Sequence, residues 1–193
     1  MKLLFIDTET GGLDSTKHSL LSYAMLAWED GVIVDSLEIF LKSDQYSVTA
    51  GALGINNIDL VQHHAKAISP VNAGLTTEAF LSKNFSSDIG YGNHYTVLQP
   101  GSIIIAGHNI GFDKAFLQAQ GFPFTRYFSH RMIDTSGIIK YLYISGKIPQ
   151  DVSSSNKAFD FFKVVNEQAH DALSDAKATA QLFNKLLSPE LYI

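Results

Sequence analysis

The chain has 193 residues and a mass of 21.2 kDa, which is the size of one compact domain with a substantial core. With 14 Lys and Arg against 19 Asp and Glu, its net charge is −5. The chain has no overall positive charge that would indicate a nucleic-acid partner. A local basic rim around a cleft is still compatible with such a partner. Since 46% of the residues are hydrophobic, disorder is excluded for most of the chain.

Cysteine is absent, which excludes disulfides, thiolate metal sites and cysteine nucleophiles together. A metal would therefore have to bind oxygen or imidazole ligands. No apolar run approaches the roughly 18 residues of a membrane span, and the opening MKLLFIDTETGG becomes acidic after five residues, unlike a signal peptide. We expect a cytoplasmic protein without a membrane partner.

The first forty residues predict three strands. Residues 2–7 form a short apolar run that ends in the polar turn TETGG. Residues 20–28 and 32–41 are the next two strands, and the Asp30-Gly31 pair between them favours a hairpin turn. The predicted order at the N-terminus is therefore β-β-β.

The middle of the chain predicts a helix, a loop and a second strand-to-helix unit. Residues 49–66 show no single pattern, whereas Pro70 fits the first turn of a helix that ends near Phe85. Residues 86–101 are rich in Ser, Gly, Asn and Tyr, which is typical of a surface loop. Residues 102–106 predict a central strand that leads into a helix.

The last third predicts a weak strand and three helices. The strand covers residues 127–133, and Asp134 can cap a helix that extends to about residue 145. A short helix over 157–165 and a long one over 172–187 follow. The order β-β-β-α-β-α-β-α-α predicts a single α/β domain with a mixed sheet.

Four carboxylates stand out as candidate metal ligands. Asp7 and Glu9 are two residues apart at a strand end, so both side chains point to one face; alone, they fit an exposed acidic turn equally well. Asp113 follows the predicted central strand, and Asp175 lies in an amphipathic helix, where it is either solvated or turned inward. Together they suit Mg²⁺ or Mn²⁺. Two such ions about 4 Å apart can hold both oxygens of a phosphoryl transfer.

His170 lies five residues before Asp175, just outside the predicted helix start. An isolated histidine there is more often a surface or capping residue. Beside the four carboxylates it can instead act as a general base towards an attacking water, since its reference pKa of about 6.5 suits proton transfer near neutral pH.

Three segments, FIDTETGGLD (5–14), AGHNIGFDKAFL (106–117) and HDALSDAKATAQLF (170–183), resemble in order and spacing the motifs of the DEDDh exonucleases. This family includes the proofreading subunit of bacterial DNA polymerase III, RNase T and oligoribonuclease. The resemblance implies an RNase H-like fold, in which helices flank a central mixed five-stranded sheet, and 3′-to-5′ exonuclease activity with two Mg²⁺ or Mn²⁺. It makes His170 the general base and assigns the metal ligands Asp7, Glu9, Asp113 and Asp175.

The resemblance also suggests substrate contacts. They are Thr8, Thr10, Leu13, Asn56, Asn109 and Phe112. Leu13 would pack on the 3′-terminal base, and Asn109 either contacts substrate or only completes a turn. Phe112 fits a core position better than a stacking position, because it continues a helical apolar stripe. The polymerase III subunit has histidine in place of Asn56 and glutamate in place of Gly51.

These features predict one exonuclease domain over residues 1–193 that removes nucleoside 5′-monophosphates from single-stranded or frayed DNA 3′ ends. An RNA or oligoribonucleotide exonuclease and a non-catalytic module that docks to a DNA polymerase or replication complex are the alternatives. Tyr91 and Tyr95 in the 86–101 loop fit either a surface insertion or a platform for single-stranded bases.

Overall fold

The computed structural model describes residues 1–88 and 96–188. Its strands, in chain order, are β1 (Lys2–Thr10), β2 (Leu20–Glu29), β3 (Val32–Phe40), β4 (Ser87–Asp88), β5 (Thr96–Val97), β6 (Ile105–Gly107) and β7 (Ile133–Asp134). Five of them form one sheet in the order β3-β2-β1-β6-β7. β1, β2 and β3 pair antiparallel, whereas β6 pairs parallel with both β1 and β7. The predicted mixed five-stranded sheet is confirmed.

Helices surround this sheet. They are α1 (Ala50–Asn56), α2 (Leu60–Lys66), α3 (Pro70–Phe85), α4 (Ile110–Ala119), α5 (Thr135–Ile144), α6 (Ser155–Phe161) and α7 (Ala172–Leu186), with a 3₁₀ helix at Pro123–Tyr127. Asp134 caps α5 as predicted, because its side chain accepts the Ser136 N–H at 2.9 Å. Within the described ranges, no helix has both the length and the apolar character needed to cross a membrane.

Some local structure was not predicted, or was predicted wrongly. Residues 49–66, which showed no single pattern, form α1 and α2, each capped by a side chain at its start, Thr49 and Asp59. The strand predicted over 127–133 does not form. Tyr127 ends a 3₁₀ helix that begins at Pro123, Phe128 makes only an isolated bridge to Ile103, and the short strand β7 begins at Ile133. The last predicted short helix starts and ends earlier, as α6, and Lys163 after it has a left-handed φ of 55°.

In two further segments, the ends of the observed elements differ from the prediction. The strand expected over 102–106 is shorter and shifted, since β6 starts at Ile105 and Ile103 makes only an isolated bridge to Phe128. The ends of the 86–101 loop pair as the short strands β4 and β5. Tyr91 and Tyr95 lie outside the described residues.

Both faces of β1 are buried, which makes this strand the centre of the fold. Leu3 and Phe5 belong to a core cluster with α7, whereas Leu4 and Ile6 belong to a cluster with α4. Because side chains alternate along a strand, each odd-numbered position of β1 faces α7 and each even-numbered one faces α4. This alternation continues into the polar end of the strand.

Replacing Phe183 by Ala should destabilise the protein by about 3–5 kcal/mol, because the buried ring is lost and a cavity remains. The Phe183 ring lies 5.6 Å from that of Phe5 and 5.5 Å from that of Trp28. Urea unfolding measures the change. The exposed Val34 on β3 provides a control, and Val34→Ala should change the free energy of unfolding by less than about 0.5 kcal/mol.

Candidate active site

The polar end of β1 meets the start of α7. Asp7 and Glu9 occupy odd-numbered positions and so face α7, and Asp175 lies in the first turn of that helix. One carboxylate oxygen from each of the three lies within 4.8 Å of the others. The structure therefore brings together three of the four carboxylates singled out in the sequence.

Asp113 approaches the same strand end from the other face. It lies in the first turn of α4, is only 4% exposed, and accepts a hydrogen bond from the Thr8 hydroxyl at 2.8 Å. Thr8 has an even-numbered position and faces α4, which explains why Asp113 is beside the three-carboxylate group but outside it. Its negative charge still raises the pKa of Asp7.

Burial and mutual repulsion disfavour the charged forms of these carboxyl groups. Burial, followed by the charge of Asp113, raises the pKa of Asp7 well above its usual value. Burial and Asp175 raise the pKa of Glu9 to about 8, and burial raises that of Asp113 to about 7. Oxygen ligands crowded in this way suit a hard divalent cation, which would offset the repulsion. The donor set therefore fits Mg²⁺ or Mn²⁺.

His170 lies at the edge of this cluster, in the segment that leads into α7. It has a left-handed φ of 67°, and its backbone N–H donates to Oδ2 of Asp175 at 3.1 Å. The next residue, Asp171, caps α7 by accepting the Ser174 N–H at 3.0 Å. His170 also lines a polar groove of about 370 Å³ together with Glu9 and Asn56.

Three residues near the site were not predicted from the sequence. Asn166 donates its side-chain N–H to Oδ1 of Asp175. Asp171 adds a charge that raises the pKa of both Asp7 and Glu9. Burial and the negative charge of Asp171 raise the pKa of Glu38 of β3. The position of Asp171 directly before α7 was a usable signal, whereas the other two contacts arise only from tertiary folding.

Four of the predicted substrate contacts line one pocket of about 460 Å³. They are Thr8, Thr10, Leu13 and Asn56. Leu13 is 87% exposed at its rim. Asn56 donates to the Thr10 carbonyl at 3.2 Å, and the Thr10 hydroxyl donates to the Gly12 carbonyl at 2.8 Å. This pocket adjoins the carboxylate cluster, because Glu9 lines it too.

The turn that carries Leu13 is held by His18. Its Nδ1 accepts the Asp14 N–H at 3.1 Å, and the His18 N–H donates to the Asp14 carbonyl at 2.8 Å. A Cβ atom on Gly12 would lie 2.6 Å from Cγ of His18, so this position has no room for a side chain. The Gly-Gly pair of the first motif thus lets the turn fold tightly beside the pocket.

The other two predicted contacts lie elsewhere. Asn109 is exposed, begins α4 with a φ of 62° and donates its backbone N–H to Asp134 Oδ1 at 2.9 Å, so it completes a turn. It lines a separate cleft of about 590 Å³ together with His108. Phe112 packs on the core, with its ring 4.9 Å from that of Phe116. Neither residue lines the Leu13 pocket.

The fold is that of the RNase H-like exonucleases. Solved structures of Escherichia coli exonuclease I share it: the complex with a dT13 oligonucleotide has a TM-score of 0.72 at 16% identity, covering 99% of this chain and 42% of that one. A zinc-bound complex of the same enzyme with single-stranded DNA has a TM-score of 0.72 at 18% identity, with the same coverage of both chains.

Sequence relatives agree with this fold. A PolC-type DNA polymerase III of Caldanaerobacter subterraneus is 24% identical over 188 residues, which is 96% of this chain and 12% of the polymerase. A ribonuclease T of Haemophilus influenzae is 25% identical, over 93% of this chain and 76% of that protein. No family model matches the chain. The resemblance to the DEDDh exonucleases is confirmed by these relatives.

Metal-free protein should lose stability as the pH rises from about 5 to 8. The folded-state pKa values of Asp7, Glu9 and Asp113 lie above their unfolded values. At a pH between the two sets of pKa values, the unfolded chain binds fewer protons than the folded protein does. The contribution of these groups to stability is therefore fully present below their unfolded-state pKa values. It is lost as the pH rises through their folded-state pKa values. Melting temperatures in chelator measure this slope, and Mg²⁺ should reduce it by binding the deprotonated cluster.

Glu9→Gln is the control for this slope. Burial lowers the pKa of His63 and His108, which makes the folded state more stable as the pH rises and so acts in the opposite direction. Comparing the variant with the wild type isolates the carboxyl contribution. Equal slopes in the two proteins would contradict the raised pKa of Glu9.

Proposed function

We propose that the chain is a divalent-metal-dependent 3′-to-5′ exonuclease that releases nucleoside 5′-monophosphates from single-stranded or frayed DNA 3′ ends. The observation that carries this proposal is the convergence of Asp7, Glu9 and Asp175 within 4.8 Å, with Asp113 and His170 beside them. We propose further that residues 1–193 act as one exonuclease domain in the cytoplasm.

In this proposal, Asp7, Glu9, Asp113 and Asp175 hold two Mg²⁺ or Mn²⁺. The bound cations would neutralise charge on the phosphate and stabilise the attacking and leaving oxygens. The three ligands that lie close together, Asp7, Glu9 and Asp175, would hold one cation. Asp113 would serve the second from the α4 side, where Thr8 already orients its carboxylate.

His170 would act as the general base. It accepts a proton from the attacking water as the water oxygen bonds to phosphorus. The bond between phosphorus and the O3′ atom of the penultimate nucleotide then breaks. The leaving O3′ atom takes up a proton from solvent, so the products are a nucleoside 5′-monophosphate and a strand one nucleotide shorter with a free 3′-hydroxyl. The backbone contact to Asp175 supports this role, because it keeps His170 next to the ligand cluster.

The terminal nucleotide would occupy the pocket of Leu13, Thr8, Thr10 and Asn56. Leu13 offers an exposed apolar side chain for packing on the base, and Thr8 and Thr10 are the neighbours of Glu9 in β1. Asn109 lines a different cleft, so a contact from it would involve another nucleotide of the strand. Phe112 has a core position, which supports packing rather than base stacking.

An RNA 3′-exonuclease is the second candidate. The ribonuclease T of Haemophilus influenzae, which matches this chain over most of its own length, favours it. Discrimination between RNA and DNA depends on contacts to the 2′-hydroxyl. The PolC-type relatives and an exonuclease I complex with SSB-Ct support a partner in a polymerase or replication complex. A purely docking role is disfavoured, because a scaffold gains nothing from repelling carboxylates.

The wild-type protein should shorten a 5′-labelled oligonucleotide stepwise with Mg²⁺ or Mn²⁺ and not with chelator. Asp7→Ala should abolish cleavage while the protein stays folded, because a metal ligand is lost and repulsion is relieved. His170→Ala should slow turnover about 10²- to 10⁴-fold. Matched DNA and RNA oligomers on one gel measure activity and sugar preference together.

Two controls make this test decisive. A 3′-labelled oligomer should release its label as mononucleotide, which separates 3′ exonuclease activity from internal cleavage. Circular dichroism of each variant shows that it is folded. Cleavage retained by Asp7→Ala would overturn the proposed site.

Leu13→Ala should raise the KM for oligonucleotide about tenfold, since the base loses an apolar contact worth about 1.4 kcal/mol. Its stability should change by less than about 0.5 kcal/mol, because the side chain is exposed. Val71→Ala, at another exposed apolar position on α3, is the matched control. An unchanged KM in Leu13→Ala would place the terminal base elsewhere.

A further inference from the structure

The segment between α6 and α7 makes two hydrogen bonds to the candidate metal ligand Asp175. Asn166 donates its side-chain N–H to Oδ1 of Asp175, and the backbone N–H of His170 donates to Oδ2 at 3.1 Å. Both oxygens of this carboxylate therefore contact the same short stretch of chain. Asn166 lies four residues before the third motif and outside all three.

The residues on either side of Asn166 are exposed. Lys163 and His170 both have left-handed φ values, 55° and 67°, which non-glycine residues adopt only where surrounding contacts impose them. Val165 and Glu167 are exposed, and Val164 is buried in a separate core cluster. Between its exposed neighbours Val165 and Glu167, Asn166 turns its side chain towards the carboxylate cluster and donates to Asp175.

The second polar atom of Asn166 has no partner. Its carbonyl oxygen is buried and accepts no hydrogen bond from the described residues. A buried acceptor without a donor costs free energy, and a bound water molecule can satisfy it. Mg²⁺ keeps part of its hydration shell when bound. Such water molecules are donors that this oxygen could accept from.

We infer that Asn166 is a positioning residue, which orients Asp175 for the divalent cation and couples metal binding to the placement of His170. This inference rests on the proposed function and names the residue that links its two parts, the metal ligands and the general base. Without the Asn166 amide, the Asp175 carboxylate would keep its contact to the His170 backbone, and the segment would lose its side-chain hydrogen bond to that carboxylate.

The test is Mn²⁺ binding by isothermal titration calorimetry without substrate. Asn166→Ala should bind Mn²⁺ about 10- to 100-fold more weakly than the wild type, as removal of groups that orient metal ligands does elsewhere. Its kcat should fall at saturating Mn²⁺ while the KM for oligonucleotide changes little. Asn166→Leu, which keeps the side-chain size and removes both polar atoms, should behave in the same way.

Two controls separate this role from others. Val165→Ala alters the same segment at an exposed position and should match the wild type in both readouts. His170→Ala keeps the backbone N–H, so it should lose turnover and retain Mn²⁺ affinity. Wild-type affinity in both folded Asn166 variants would overturn the inference while leaving the proposed function intact. A wild type that neither binds Mn²⁺ nor cleaves would overturn the proposed function itself.

Discussion

Repulsion between buried carboxylates is the constraint on which the site depends. Asp7, Glu9 and Asp175 meet within 4.8 Å, and burial raises the pKa of each. Such a cluster lowers stability unless a proton or a cation compensates it. The rest of the fold is arranged so that this destabilised group still forms at the end of a strand whose residues 3–6 are fully buried.

Because side chains alternate between the two faces of β1, this one strand packs against two helices. Its apolar half packs against α4 with one set of residues and against α7 with the other. In the polar half, the same alternation places Asp7 and Glu9 next to Asp175 of α7. It places Thr8 next to Asp113 of α4. Four carboxylates from three elements thus converge without any long loop to place them. The segment that carries His170 then closes one side of the group.

The parts of this structure that follow local rules could be predicted from the sequence. The three N-terminal strands follow apolar runs and the Asp30-Gly31 turn, and α5 follows the cap at Asp134. The two-residue β7 could not be predicted, because its parallel pairing with β6 comes from tertiary packing. The motif spacing indicated the carboxylates and His170, whereas Asn166 gave no signal because a side-chain contact across nine residues depends on how the segment folds.

The most direct measurement is the crystal structure of the protein grown with Mn²⁺ and a nucleoside 5′-monophosphate, with manganese located by anomalous scattering. If the carboxylate cluster exists to bind catalytic metal, a manganese peak should lie between the oxygens of Asp7, Glu9 and Asp175, with the phosphate beside it. A nucleotide bound in the Leu13 pocket with no manganese at these carboxylates would contradict that claim.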